Sequence, residues 1–267
     1  MNKVVIVTGA SSGIGKACAT IFAARGFKVM LSARDTGNLK SAETELKSKG
    51  FDVHTFAADV SKEDNCRDLI AETMTRFGRI DVLICNAGIS MRALFEDTDL
   101  EVIRKIMDVN FWGTVYCTKY AMPHLLSAKG SVVGISSIAG KKGLPARSGY
   151  SASKFAIEGF LETLRTENLK KDLHVLIACP GFTASNIRNA SLSKDGKAQG
   201  ESPRNENKMM TAEEVAGYIY HATVKRKRDL VLTTNGKLVV WLNKFFPSLM
   251  DKMVYNHMAK EKNSPLR

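Results

Sequence analysis

A tyrosine and a lysine four residues apart, in the run Tyr150-Ser151-Ala152-Ser153-Lys154, form the pair of side chains in this 267-residue chain best suited to moving a proton. On a helix, positions i and i+4 share a face, so a phenol and an ammonium spaced this way can serve one pocket. A phenol that titrates at about 10 is a poor acid–base couple at neutral pH. A neighbouring cation favours the phenolate, so Lys154 is expected to hold the Tyr150 pKa down. Thirteen residues upstream of the tyrosine, Ser136-Ser137 closes the β-branched run Ser131–Ile135. A hydroxyl there can hydrogen-bond an oxygen on which negative charge develops. The three residue types together fit proton transfer to or from a polarised oxygen. A helical Tyr-Lys pair also arises by chance, so the pattern gains weight only from what accompanies it.

The companions begin at the N-terminus. Val4–Val7 runs into Thr8-Gly9-Ala10-Ser11-Ser12-Gly13-Ile14-Gly15 and then into a helical pattern. Glycines at a strand-to-helix turn let backbone N–H groups approach a pyrophosphate at the helix N-terminus. The spacing is G-x-x-x-G-x-G, not the G-x-G-x-x-G of other dinucleotide folds. The second strand candidate ends Leu31-Ser32-Ala33-Arg34-Asp35. A carboxylate at that strand end suits the ribose 2′-OH of NAD, whereas small Ala33 followed by Arg34 suits the 2′-phosphate of NADP. Asp59-Val60 and Asn86-Ala87-Gly88 close the third and fourth strand candidates, on the edge where an open α/β sheet binds its ligand. Asn110, in Asp108-Val109-Asn110-Phe111-Trp112-Gly113, sits within a helical pattern although asparagine is a poor helix former.

These motifs hang on alternating elements. Strand-like runs occur at Val4–Val7, Lys28–Ser32, Val53–Ala57, Val82–Cys85, Ser131–Ile135, His174–Cys179 and Asp229–Thr233, with helical patterns near 14–25, 36–49, 63–77, 99–126, 149–170 and 212–224. The strands read as continuous apolar runs, as burial on both faces requires. Repeated β-α units of this kind predict an α/β fold with a single doubly wound parallel sheet of about seven strands, Rossmann-type, with helices on both faces. The whole chain, 1–267, reads as one such domain. The stretch 185–210, rich in Ser, Asn, Lys and Gly, is expected to be a substrate lid loop. It ends at Thr211-Ala212-Glu213-Glu214, a capping box that restarts a helix. Residues 235–267 read as an amphipathic helical tail, in which Pro247 breaks the pattern and opens a second helix.

A composition that is 44% hydrophobic and 25% charged, with 6 Pro, excludes disordered, collagen-like and disulfide-scaffold classes. The net charge of +12 is concentrated at the end: Lys225 to Arg267 holds ten basic and three acidic residues. That asymmetry does not by itself make a nucleic-acid protein, and no nucleic-acid partner is expected. The tail's apolar stripe (Leu238, Trp241, Phe245, Phe246, Leu249, Met250, Met253, Val254, Met258) needs a cover: the protein's own pocket mouth, a partner subunit or a lipid surface. Five scattered cysteines (Cys18, Cys66, Cys85, Cys117, Cys179) without C-x-x-C or Cys/His ligand spacing read as reduced thiols of a cytoplasmic protein, and no metal site is expected. Met1-Asn2-Lys3 runs into the first strand without an apolar leader, and no apolar run approaches membrane-spanning length.

Taken together, these motifs make the chain resemble a short-chain dehydrogenase/reductase from Val4 to about Thr234. Thr8–Gly15, Asn86-Ala87-Gly88, Asn110, Ser137, Tyr150-Ser151-Ala152-Ser153-Lys154 and Pro180-Gly181 stand in that family's order and spacing. The resemblance implies interconversion of a carbonyl and a secondary alcohol with NADP(H). Its catalytic tetrad would be Asn110, Ser137, Tyr150 and Lys154: Tyr150 the proton donor, Ser137 holding the oxygen, Lys154 also gripping the nicotinamide ribose, Asn110 holding a proton-relay water. Thr8, Gly9, Ser11, Ser12, Gly13, Ile14 and Gly15 would line the phosphates. Arg34 would take the 2′-phosphate, Asp59 with Val60 and Asn86 with Ala87 and Gly88 the adenosine side, and Pro180, Gly181 and Thr183 the nicotinamide. NADP-preferring members also carry a basic residue just before the second glycine. Ser12 stands there instead.

Ser90, Met91, Arg92, Lys141, Leu144, Phe182 and the lid are expected around the substrate, and Met91, Leu144 and Phe182 favour a lipophilic ketone or aldehyde. A homodimer or homotetramer through helices 99–126 and 149–170 is implied as well. The rival reading is a dinucleotide-binding regulator that kept the fold without turnover; epimerases and dehydratases share Y-x-x-x-K but carry a longer chain and another glycine spacing.

Overall fold

The computed structural model describes residues 2–202 and 209–266. Its seven strands are β1 (Val4–Thr8), β2 (Lys28–Ala33), β3 (Val53–Ala57), β4 (Val82–Cys85), β5 (Ser131–Ile135), β6 (His174–Cys179) and β7 (Asp229–Val231). They pair in parallel throughout, in the order β3-β2-β1-β4-β5-β6-β7. The order reverses between β1 and β4, which opens a crevice at their carboxyl ends. This is the doubly wound sheet that the alternating apolar runs predict.

Nine α-helices are described: α1 (Gly13–Ala24), α2 (Thr36–Ser48), α3 (Glu63–Phe77), α4 (Leu100–Met107), α5 (Gly113–Ser127), α6 (Ser148–Glu167), α7 (Ala212–Val224), α8 (Thr234–Phe245) and α9 (Pro247–Ala259). Strand side chains alternate between two apolar layers. Val5, Val7, Val29 and Leu31 pack with Phe22 of α1, Leu46 of α2 and Ile219 of α7. Ile6, Met30, Leu83 and Val132 pack with Leu69 of α3, Leu125 of α5 and Leu161 of α6. All five cysteines are free thiols buried in these layers. The Thr211 capping box forms as its spacing requires: Glu214 N–H donates to Thr211 Oγ1 at 3.1 Å, and Thr211 N–H to Glu214 Oε2 at 2.8 Å.

Three segments depart from the sequence expectations. The helix anticipated at 99–126 is α4 and α5 joined by a π-helical turn, Asp108–Trp112. One widened turn carries Asn110 inward, where its carboxamide finds polar partners that a regular helix surface lacks. The last strand ends at Val231 rather than Thr233, because Thr233 adopts φ +63° and caps α8 by accepting from Gly236 N–H at 3.0 Å. The lid stretch is held down by backbone pairing: Leu192 N–H donates to Ser90 O at 2.9 Å and Arg92 N–H to Leu192 O at 2.8 Å. Leu192 thereby joins a small apolar cluster with Met91, Val102 and Ile106. Residues 203–208 of the expected lid lie outside the described residues.

Candidate active site

A cavity of about 420 Å³ lies at the carboxyl ends of the strands, with the β1–α1 turn at one end and Ser137, Tyr150 and Lys154 at the other. Burial and glycine geometry shape the first end. Gly9 adopts φ +64°, and a Cβ there would lie 2.9 Å from Ala87 Cα. A Cβ on Gly15 would lie 2.2 Å from the Gly9 carbonyl oxygen, so α1 presses on the preceding turn as only glycine allows. Ser12 caps α1 without a side-chain hydrogen bond, and no acidic residue stands in the first turn. The amide groups of that turn therefore present a positive end to the cavity. This cradle of small residues and amide donors fits the pyrophosphate of a dinucleotide.

Arg34 is exposed at the same end and lines the cavity. The neighbouring Asp35 is engaged elsewhere: its Oδ1 accepts from Asn38 N–H at 2.9 Å and its Oδ2 from Asn38 Nδ2 at 2.8 Å, capping α2. Ala33 and the Arg34 guanidinium thus line this end of the cavity, while the nearby carboxylate already has its partners.

Most residues singled out by sequence line this one cavity: Gly9, Ser11, Ser12, Gly13, Ile14, Arg34, Asp59, Val60, Asn86, Ala87, Gly88, Ser137, Tyr150, Lys154, Pro180, Gly181 and Thr183. Three stand behind its wall. Thr8 is buried and ties β1 to β4, donating to Ile84 O at 3.3 Å and accepting from Asn86 and Ala87 N–H at 3.0 and 3.1 Å. Gly15 packs on Gly9, and Asn110 is fully buried. Of the residues expected around the substrate, Ser90, Leu144, Phe182 and part of the 185–191 stretch line the cavity. Met91 belongs instead to the apolar cluster beneath it; Lys141 pairs with Glu158, and Arg92, though not itself on the wall, pairs with Glu261, which is. Hydropathy pattern separates core from surface, and it does not separate a cavity wall from the layer behind.

The electrostatics of the Tyr-Lys pair differ from expectation. Burial pushes the Tyr150 phenol above its ordinary pKa, and the Ser137 hydrogen bond and the Arg147 charge only partly oppose that. Lys154 is not among the groups that pull it down. Its Nζ lies 5.7 Å from the Tyr150 ring centre and donates to Ile135 O at 2.8 Å. Burial also lowers Lys154 to about 8, against the opposing pull of Cys179 and Glu158. Desolvation therefore outweighs pairing for both groups, and the phenol is held protonated.

Sequence reasoning missed four participants. Ser153 Oγ accepts from Asn110 Nδ2 at 2.9 Å. Glu158, one turn beyond Lys154, is buried and accepts from Ser136 Oγ at 2.7 Å while pairing with Lys141 Nζ at 2.6 Å. The i+4 stripe Tyr150, Lys154, Glu158 was the available signal for it. Met258 and Glu261, from the C-terminal tail, also line the cavity. No local pattern announces them, since about a hundred residues separate them from the motif they approach.

A cavity at the switch point of a parallel sheet, with a glycine-rich turn at one end and a half-buried phenol beside a serine at the other, belongs to a Rossmann-type oxidoreductase. A family model described as short chain dehydrogenase matches residues 3–196. The chain belongs to the short-chain dehydrogenase/reductase family, whose members bind a nicotinamide dinucleotide and transfer hydride to or from small molecules. It is 36% identical over 269 residues to mouse dehydrogenase/reductase SDR family member 7B, covering 98% of this chain and 83% of that one. It is 35% identical over 257 residues to 11-beta-hydroxysteroid dehydrogenase A of Sesamum indicum, covering 94% and 74%. A Burkholderia phymatum short-chain dehydrogenase/reductase solved with NAD superposes with a TM-score of 0.82 at 24% identity, covering 93% and 95%, a likeness of fold.

Proposed function

We propose that the protein uses NADP(H) to interconvert a lipophilic ketone or aldehyde and its secondary alcohol, mainly in the reducing direction. The observation that carries this reading is the convergence of Ser137, Tyr150 and Lys154 on the same cavity as the Gly9–Ile14 turn and Arg34. The bound dinucleotide supplies the hydride. Tyr150, kept protonated by burial, donates its proton to the carbonyl oxygen, and Ser137, hydrogen-bonded to that phenol, orients the oxygen between them. Lys154, whose Nζ lies 5.7 Å from the Tyr150 ring centre, would hold the nicotinamide ribose. Asn110, whose carboxamide is committed to Ile89 and Ser153, braces the helix that carries Tyr150 and Lys154 and would hold the relay water.

NADP is favoured over NAD by the Arg34 guanidinium and by the prior engagement of Asp35. Leu144, Phe182 and Met258 give the substrate end an apolar side, which supports a lipophilic carbonyl. Exposed Trp112 and Phe155, on adjoining helical elements, support a homodimer or homotetramer through that face. The tail's own core does not cover its stripe: Leu238, Trp241, Phe245, Phe246, Leu249 and Met253 are about half exposed. With Lys237, Lys244 and Lys252 exposed beside them, this face suits peripheral contact with an anionic lipid surface. Among the described residues no helix is long and apolar enough to cross a membrane. Five buried free thiols support a reducing, cytoplasmic setting.

The deciding experiment is a panel of ketones, aldehydes and secondary alcohols followed at 340 nm with each nicotinamide cofactor. Turnover with none of them, alongside tight NADPH binding, would instead favour a dinucleotide-binding regulator.

A further inference from the structure

We propose that Arg92 and Glu261 form a buried latch that fixes the C-terminal tail across the substrate end of the cavity and so sets the length of substrate the site favours. The proposal rests on the reading of the site given above.

Arg92 is a junction. Its main chain is paired with the lid stretch: its N–H donates to Leu192 O at 2.8 Å, and Gln199 Nε2 donates to its carbonyl at 2.7 Å. Its side chain reaches the tail, where Nη2 donates to the Lys262 carbonyl and Nε lies 3.5 Å from Glu261 Oε2. The same carboxylate oxygen lies 3.6 Å from Arg147 Nη2, three residues before Tyr150. The side chains of Arg92 and Glu261 are only 4% and 5% exposed. A carboxylate buried against two guanidiniums cannot lose its partners without leaving uncompensated charge in a dry site, so the contact is either made or replaced by opening to water.

The rest of the tail makes the latch matter. Most large apolar residues of α8 and α9 face outward, while Met250 and Met258 are buried. Outside the cavity, Glu201 of the lid accepts from Asn263 Nδ2 at 2.9 Å and pairs with Lys262 Nζ at 3.1 Å, a solvent-exposed tie. The buried fastening therefore sits at Glu261. Met258, three residues earlier, is the cavity-lining side chain it holds in place. A long substrate gains apolar contact from that side chain, and a short one does not reach it.

The test uses the full-length protein. In Glu261→Gln, which keeps the side-chain shape and removes the charge, amide hydrogen exchange of residues 247–263 should quicken about tenfold or more, with α1 and α7 unchanged. Unchanged exchange in the tail would overturn the latch. With Arg92→Gln, KM for the longest carbonyls of a chain-length series should rise about tenfold and for the shortest less than about twofold, with NADPH affinity retained. Equal losses at every length would overturn the specificity role. Should the wild type reduce no carbonyl at all, the proposed function fails, and the exchange measurement still decides the latch.

Discussion

Asn110 and Ile89 hold each other through both halves of one carboxamide. Ile89 N–H donates to Asn110 Oδ1 at 2.8 Å, and Asn110 Nδ2 donates back to the Ile89 carbonyl at 2.9 Å. The remaining Nδ2 proton goes to Ser153 Oγ. A single amide thus joins the loop after β4, the π-helical turn and α6, which carries Tyr150 and Lys154. Asn110→Asp keeps the shape but turns a double donor into an acceptor facing a carbonyl. It should cost at least about 2 kcal/mol in urea unfolding, as Asn110→Ala should. An aspartate variant as stable as the wild type would show that these donors are dispensable.

Tyr150→Phe removes only the proton-donating hydroxyl. NADPH binding, read by fluorescence, should persist while turnover falls about 100-fold or more. A residual rate above about a tenth of the wild type would move the acid role elsewhere.

Cofactor preference should rest on Arg34. A charge-assisted contact to a 2′-phosphate is worth about 1.5–3 kcal/mol, or one to two decades in kcat/KM. The wild type should favour NADPH over NADH by that margin, and Ala33→Asp with Arg34→Leu should reverse the order. Equal use of both cofactors by the wild type would defeat the assignment.

Lys154 should cost stability where it serves catalysis. Burial lowers its pKa from 10.5 to about 8 in the folded protein. Between those values the unfolded chain binds the extra proton, so this group's contribution improves as pH rises from about 8 and is least favourable below it. Lys154→Met should therefore stabilise the apo-protein at pH 7 by an amount on the order of 2–3 kcal/mol, less the lost bond to Ile135 O, and the advantage should shrink by pH 10. Denaturant melts at both pH values measure this, and an advantage that grows with pH would contradict it.

Anionic liposomes should carry the protein upward in flotation at low ionic strength and release it at high salt, since charge attraction between exposed groups is screened there. Trp241→Asp with Phe245→Asp should abolish flotation without altering turnover of short carbonyls. Absence of flotation even at low salt would return the stripe to a subunit contact.

The sheet was legible because parallel strands are apolar on both faces, and β3, β4, β5 and β6 run over the residues their composition marks out. The cofactor end was legible too, since its determinants are consecutive residues at strand ends. Chemistry that depends on three-dimensional desolvation was not. Spacing alone suggested that Lys154 would acidify Tyr150, whereas burial dominates both groups. Nor could periodicity show that Met91 lies under the floor while Met258 and Glu261 return from the tail, because both depend on how distant segments close over the site.

The buried thiols turn the protein into its own recorder of breathing. Burial pushes Cys18, Cys85 and Cys179 up to about 12, so the reactive thiolate is scarce until the surrounding structure opens. Cys18 sits in the layer under α1 and α7, Cys85 and Cys179 in the layer across the sheet. Alkylation followed cysteine by cysteine would therefore time the two layers separately, and a bound dinucleotide that braces β4 and β6 should slow one set of labels more than the other.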